Sequence, residues 1–75
     1  MHFDKELDAR GLSCPLPILR AKKALNDMHM GQVLYIQTTD PGSVRDFAAF
    51  AQQTGHELVV SNEKDGGFEF YLKHK

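Results

Sequence analysis

The chain has 75 residues, nine lysines and arginines against ten aspartates and glutamates, a formal net charge of −1 and 41% hydrophobic residues. A balance this near neutrality argues against direct nucleic-acid binding, which goes with a basic excess, and the length predicts a single domain over residues 1–75. One cysteine precludes an internal disulfide, and His2, His29, His56 and His74 make no metal-ligand spacing with it or with one another.

Leu7 and Ala9 alternate with Glu6 and Asp8, which predicts a short first strand ending near Arg10-Gly11, where glycine permits a turn toward Cys14. From Pro15 to about His29 the period lengthens. Ile18, Ala21, Leu25 and Met28 recur at helical spacing, with Leu19 and Ala24 widening the stripe, while Arg20, Lys22, Lys23, Asn26 and Asp27 take the other side. Gly31 punctuates the end of this helix. Gln32 to Thr39 reads as a second strand, Leu34 and Ile36 on one face and Val33, Tyr35 and Gln37 on the other. Asp40, a strong N-cap residue, and Pro41, suited to a first helical position, open a second helix. Its apolar stripe is Val44, Phe47, Ala48 and Ala51, and Gly55 follows its end. His56 to Asn62 predicts a third strand. The loop from Glu63 to Gly67 carries Asp-Gly and Gly-Gly hairpin signals, after which Phe68, Phe70 and Leu72 alternate with Glu69, Tyr71 and Lys73 in a fourth strand.

The order β-α-β-α-β-β predicts an α+β two-layer sandwich. Right-handed crossovers put both helices on one face of a four-stranded mixed sheet and leave the other face uncovered. Both helices then start at the carboxyl ends of the first two strands. Cys14 and the Asp40-Pro41 turn are therefore expected as neighbours, at the edge where open α/β sheets carry function.

The cysteine lies in Ser13-Cys14-Pro15-Leu16-Pro17. A thiol at a helix start is expected to ionise readily, because unpaired backbone N–H groups and the positive end of the macrodipole favour S⁻. Pro15 fits the first helical position and makes Cys14 the cap, with Pro17 in the same turn. A thiol caps less well than serine or aspartate, so the position is not optimised for stability. The other reading of a lone cysteine is a small buried hydrophobe. A thiol with no second thiol in its chain suits a group carrier, since a neighbouring cysteine would attack a bound persulfide and close a disulfide. The same solitude argues against thioredoxin-like chemistry, which needs a C-x-x-C pair. It is also poor equipment for a cysteine hydrolase, because no histidine has an evident claim to be the base. The amino-terminal stretch Met1 to Glu6 lacks the regions of a signal peptide, and no apolar run reaches membrane length. The expected location is the cytoplasm, where a lone thiol stays reduced.

Leu7-Asp8-Ala9-Arg10-Gly11-Leu12-Ser13-Cys14-Pro15-Leu16-Pro17, followed by Lys22-Lys23-Ala24-Leu25, resembles the TusA (SirA-like) sulfur-carrier family. The resemblance rests on a C-P-x-P element within an L-D-x-x-G-L-x-C-P-x-P frame and extends over the whole chain, including Gly31 and Asp40-Pro41. It implies a four-stranded mixed sheet with two helices, in agreement with the pattern above, and a persulfide carried on Cys14. It also implies a cysteine desulfurase or rhodanese-like sulfur donor. The implied acceptors are proteins serving tRNA 2-thiouridine formation, sulfur oxidation or related sulfur trafficking. No cofactor is implied beyond the covalent sulfur. Leu16 is apolar where some members carry an acidic residue, a difference that bears on partner choice and thiol pKa.

Arg20, Lys22 and Lys23 form a basic flank on the helix that starts at Cys14, which would steer acidic partner surfaces or serve simply as a solvated face. Asp40 is expected to cap its helix first and to meet a partner's basic group second. It should point away from Cys14, because a close carboxylate raises a thiol pKa. Arg45 is placed to pair with Asp40 or a docking protein. Tyr35, Tyr71, Val33 and Val59 fall on the uncovered sheet face. That face is the basis of an alternative reading, a non-catalytic regulatory or RNA-interaction module. A thiol-based redox sensor is a third. Phe47, Phe68 and Phe70 are expected in the core, and His29 and His56 at the surface.

Overall fold

The alternating and helical periods resolve into six elements in a computed structural model that describes residues 2–75. They are β1 (Lys5–Ala9), α1 (Leu16–Asn26), β2 (Val33–Thr38), α2 (Ser43–Thr54), β3 (Glu57–Lys64) and β4 (Gly67–Lys73). The sheet order is β1-β2-β4-β3, with β1 parallel to β2 and β4 antiparallel to both of its neighbours. β4 thus fills the gap that the second crossover leaves between β2 and β3. This is the expected α+β architecture with a mixed four-stranded sheet.

Register places the large apolar residues in line. Leu34 opposes Leu72 and Ile36 opposes Phe70 across β2 and β4, and all four join Ala21, Leu25 and Met28 on the α1 side and Phe47, Phe50 and Ala51 of α2 in one core. Phe47 and Phe70 meet with ring centroids 4.8 Å apart. Burying side chains of this size stabilises the fold by about 1.5–3 kcal/mol each. At the hairpin, Asp65 (φ 50°) and Gly66 (φ 81°) supply the two left-handed residues that a two-residue turn matching strand twist requires, as Asp-Gly predicts.

Three expectations change. The second helix begins at Ser43, and its buried residues are Ser43, Phe47, Phe50 and Ala51 rather than a stripe through Val44 and Ala48. Ser43 Oγ lies 2.6 Å from Thr38 Oγ1 and donates to the Asp40 carbonyl at 2.6 Å. A hydroxyl satisfied this way can be buried without penalty. It turns the helix so that Val44, one position on, faces outward with 41% of its surface exposed. In α1, Pro17 is buried and Leu19 is not.

The second sheet face is also less open than expected. Phe3 stacks on Tyr35 at 5.1 Å, Tyr71 lies 4.8 Å from Tyr35 and 6.4 Å from Phe3 to complete a three-ring cluster, and the Tyr35 hydroxyl donates to Glu69 Oε2 at 2.8 Å. Tyr35 is buried as a result. Val59 does remain exposed, beside a register irregularity between Leu58 and Val60. His56 is half-buried, with its ring 4.8 Å from that of His74 and 6.1 Å from that of Phe50. Among the described residues no helix is long and apolar enough to cross a membrane.

Candidate functional site around Cys14

Parallel pairing of β1 and β2 sets the segments that leave their carboxyl ends side by side, and side-chain bonds then join them. Gly11 N–H donates to Thr39 Oγ1 at 2.9 Å, and Cys14 N–H donates to Asp40 Oδ2 at 2.9 Å. The other Asp40 oxygen accepts Gly42 N–H at 3.1 Å, and the Asp40 carbonyl accepts Ser43 N–H at 3.0 Å. Gly11, with φ 81°, makes the bend that brings the segment across. Cys14 and the Asp40 turn are thus direct neighbours. Asp40, however, is not the cap of α2. With one carboxylate oxygen on Gly42 and the other on Cys14, it closes a turn ahead of the helix, and Gly42 holds the cap position. Asp40 also does not point away from Cys14, because the backbone N–H of Cys14 is its partner. Upstream, the Asp8 carboxylate accepts the Arg10 guanidinium at 2.9 and 3.0 Å and the Arg10 N–H at 3.1 Å. Those bonds hold the carboxyl down to about 2.

Cys14 is a free, exposed thiol, which rules out the buried-hydrophobe reading. Pro15 occupies the cap position of α1, Leu16 is its first residue and Pro17 its second. Cys14 therefore stands one residue before the cap, not at it. The helix start is also poor in free donors. The two prolines have no N–H, Leu16 N–H donates to the Ser13 carbonyl at 2.9 Å, and Leu19 N–H donates to the Pro15 carbonyl at 3.1 Å. The N–H groups expected to stabilise a thiolate are thus largely absent or occupied.

The charged groups around the thiol are Asp40, Asp46 and Arg45, two carboxylates against one guanidinium. The Asp46 carboxylate, which lines with Cys14 both of the open grooves that meet there, is the largest influence and raises the Cys14 pKa above its ordinary value. Loss of hydration acts in the same direction, followed by the charges of Asp46 and Asp40. The expectation of a readily ionised thiol is overturned for this reason. Asp46 was not singled out by the sequence. Its signal was position alone, in the first turns of the helix that begins beside Cys14.

Two open grooves meet at Cys14. One runs along the start of α2, past Asp40, Val44, Arg45 and Asp46. The other lies between the helices, lined by Pro15, Ile18, Asp46, Phe50 and Gln53. The basic residues of α1 lie elsewhere. Arg20 and Lys23, with Lys5, border a groove on the β1 flank of α1 that is floored by Leu7, Leu16 and Leu19. Lys22 is exposed and lines none of the three grooves. The structure therefore brings Cys14, Pro15 and Asp40 together and sets Arg20, Lys22 and Lys23 apart from them. Among the described residues no group of three or more His, Cys, Asp and Glu side chains could hold a metal ion.

A profile of the family described as Sulfurtransferase TusA matches residues 5–74. The chain is 66% identical over 71 residues to a protein of Allochromatium vinosum described as sulfur carrier protein TusA, an alignment covering 95% of this chain and 93% of that one. It is 38% identical over 72 residues to the sulfur carrier protein TusA of Pseudomonas syringae, covering 96% and 86%. The crystal structure of a SirA-like protein from Desulfitobacterium hafniense shares the fold with a TM-score of 0.84 at 30% identity, covering 93% of this chain and 96% of that one. With a family profile and full-length relatives both matching, and a SirA-like neighbour sharing the fold, the chain belongs to the TusA family of sulfur carriers.

Proposed function

We propose that this protein carries sulfane sulfur in the cytoplasm as a persulfide on Cys14, taking it from a cysteine desulfurase or rhodanese-like donor and passing it to an acceptor protein. The observation that supports this most is the exposed, solitary thiol held at the junction of the two loops by the Cys14 N–H to Asp40 bond. In loading, the Cys14 thiolate attacks the outer sulfur of a donor persulfide. A bond forms from Sγ to that sulfur as the donor's S–S bond breaks, and the donor cysteine leaves as a thiolate. The proton lost by Cys14 is matched by the one that thiolate takes up, so no outside oxidant or reductant is needed. Delivery is the same exchange with Cys14 as the leaving thiolate. Acceptors in tRNA thiolation, sulfur oxidation or related trafficking are compatible with this chemistry. Arg20, Lys22 and Lys23 would steer acidic partner surfaces. The RNA-module reading finds less support, because Tyr35 is buried under Phe3 and bonded to Glu69.

Incubation with a desulfurase and cysteine, or with a rhodanese and thiosulfate, is expected to add the mass of one sulfur atom to the wild type and none to Cys14→Ser. Intact-protein mass spectrometry reads this directly. No adduct with either donor, or an equal adduct on the serine variant, would refute the carrier reading.

A further inference from the structure

We infer that Asp46 is an electrostatic brake on Cys14, a positioning residue whose carboxylate shares both grooves with the thiol and is offset by a cationic group of the docked sulfur-transfer partner. The inference rests on the carrier reading for its purpose but not for its physics.

The charged groups that line the two grooves at Cys14 are Asp40 from the β2–α2 turn and Arg45 and Asp46 from α2, while α1 contributes only apolar Ile18 beside Pro15. Asp46 lines both grooves, whereas Arg45 lines only the one that runs along α2. Neither Asp40 nor Asp46 takes part in an ion pair among the described residues. The site therefore presents two carboxylates against one arginine, and the start of α1 has few free N–H groups to offset them. The raised thiol pKa agrees with this arrangement.

The consequence for sulfur exchange is directional. A thiol of higher pKa is less ionised at neutral pH and is also a poorer leaving group once it carries a second sulfur. Free protein is thereby protected from stray alkylation and oxidation, and loaded protein holds its cargo against small thiols. A partner that brings an arginine or lysine against Asp46 reverses both effects at once, since an opposite charge at close range offsets the carboxylate. The partner surface that meets this side of Cys14 is therefore basic, opposite in sign to the acidic surface that suits Arg20 and Lys23 across α1.

The test is the pH dependence of iodoacetamide alkylation of the isolated protein. Asp46→Asn should move the midpoint down and speed alkylation near neutral pH by roughly three- to fourfold for each pKa unit moved, the thiolate fraction rising about tenfold while its nucleophilicity falls. Asp46→Glu should retain part of the brake, and Arg45→Gln should move the midpoint up. Higher ionic strength should lower the midpoint in the wild type more than in Asp46→Asn. A purely structural role for Asp46 at the helix start would change the melting temperature and leave the midpoint where it is, which overturns the brake. For partner release, the ratio of the transfer rate with a donor persulfide to the rate with iodoacetamide should be smaller in Asp46→Asn than in the wild type, and an equal ratio overturns that part. If no donor loads the wild type while the alkylation midpoint still shifts, the carrier reading fails and the brake stands.

Discussion

Removing the Asp40 carboxylate should separate the two loops that frame Cys14. Asp40→Ala deletes the acceptors of Cys14 N–H and Gly42 N–H and leaves the backbone bond from Ser43 in place. Loss of a comparable capping side chain costs about 0.5–2 kcal/mol. Two bonds are lost here instead of one, but both N–H groups are exposed and can turn to water, so a loss of about 1–1.5 kcal/mol is expected. For a domain of this size each kcal/mol lowers the melting temperature by about 4–8 °C. Asp40→Asn keeps one acceptor oxygen and turns an NH₂ group toward the other donor, so it should lose a large part of the same stability. Thermal melts followed by circular dichroism give the stability, and amide hydrogen exchange gives the location. Exchange at Cys14 and Gly42 should accelerate in Asp40→Ala while core strand amides fall only with global stability. An alanine variant with wild-type melting and unchanged exchange at Cys14 would refute the view that this carboxylate ties the loops.

Phe70→Ala should remove a large share of the protein's stability, since truncating a buried phenylalanine costs about 3–5 kcal/mol against roughly 4–11 kcal/mol for a chain of this length. A urea titration should show the midpoint collapse, with Phe70→Leu in between. The Tyr35 phenol, pushed up to about 12 by burial and by its bond to Glu69, favours the neutral form in the folded state. The stability it contributes is fully present below about pH 10, the unfolded value, and is lost as pH rises through about 12. Absorbance titration should find a late phenol ionisation in the wild type that Tyr35→Phe lacks, and alkaline unfolding of that variant should lose the corresponding slope.

What the sequence determined by itself was mostly local. The two-residue period of Leu7 and Ala9 and of Phe68, Phe70 and Leu72 marked strands, and Asp65-Gly66 marked the hairpin turn. The element order then left few topologies, which is why it alone sets Cys14 and Asp40 side by side. The setting of the thiol was decided by tertiary structure. Helix start geometry moved the cap to Pro15, and the Leu16 N–H went to Ser13. A hydroxyl contact between Ser43 and Thr38 set the rotation of α2. Tyr35 was buried by Phe3, which precedes β1 and reaches Tyr35 only once β1 has paired with β2. Folding brought Asp46 into the same grooves as Cys14 across a long stretch of chain, and its charge reversed the expected direction of the thiol's pKa. Periodicity and turn chemistry act between near neighbours in sequence and can be read from it. Electrostatic fields, and the choice of which face is covered, act through space and take their values only when the chain has folded.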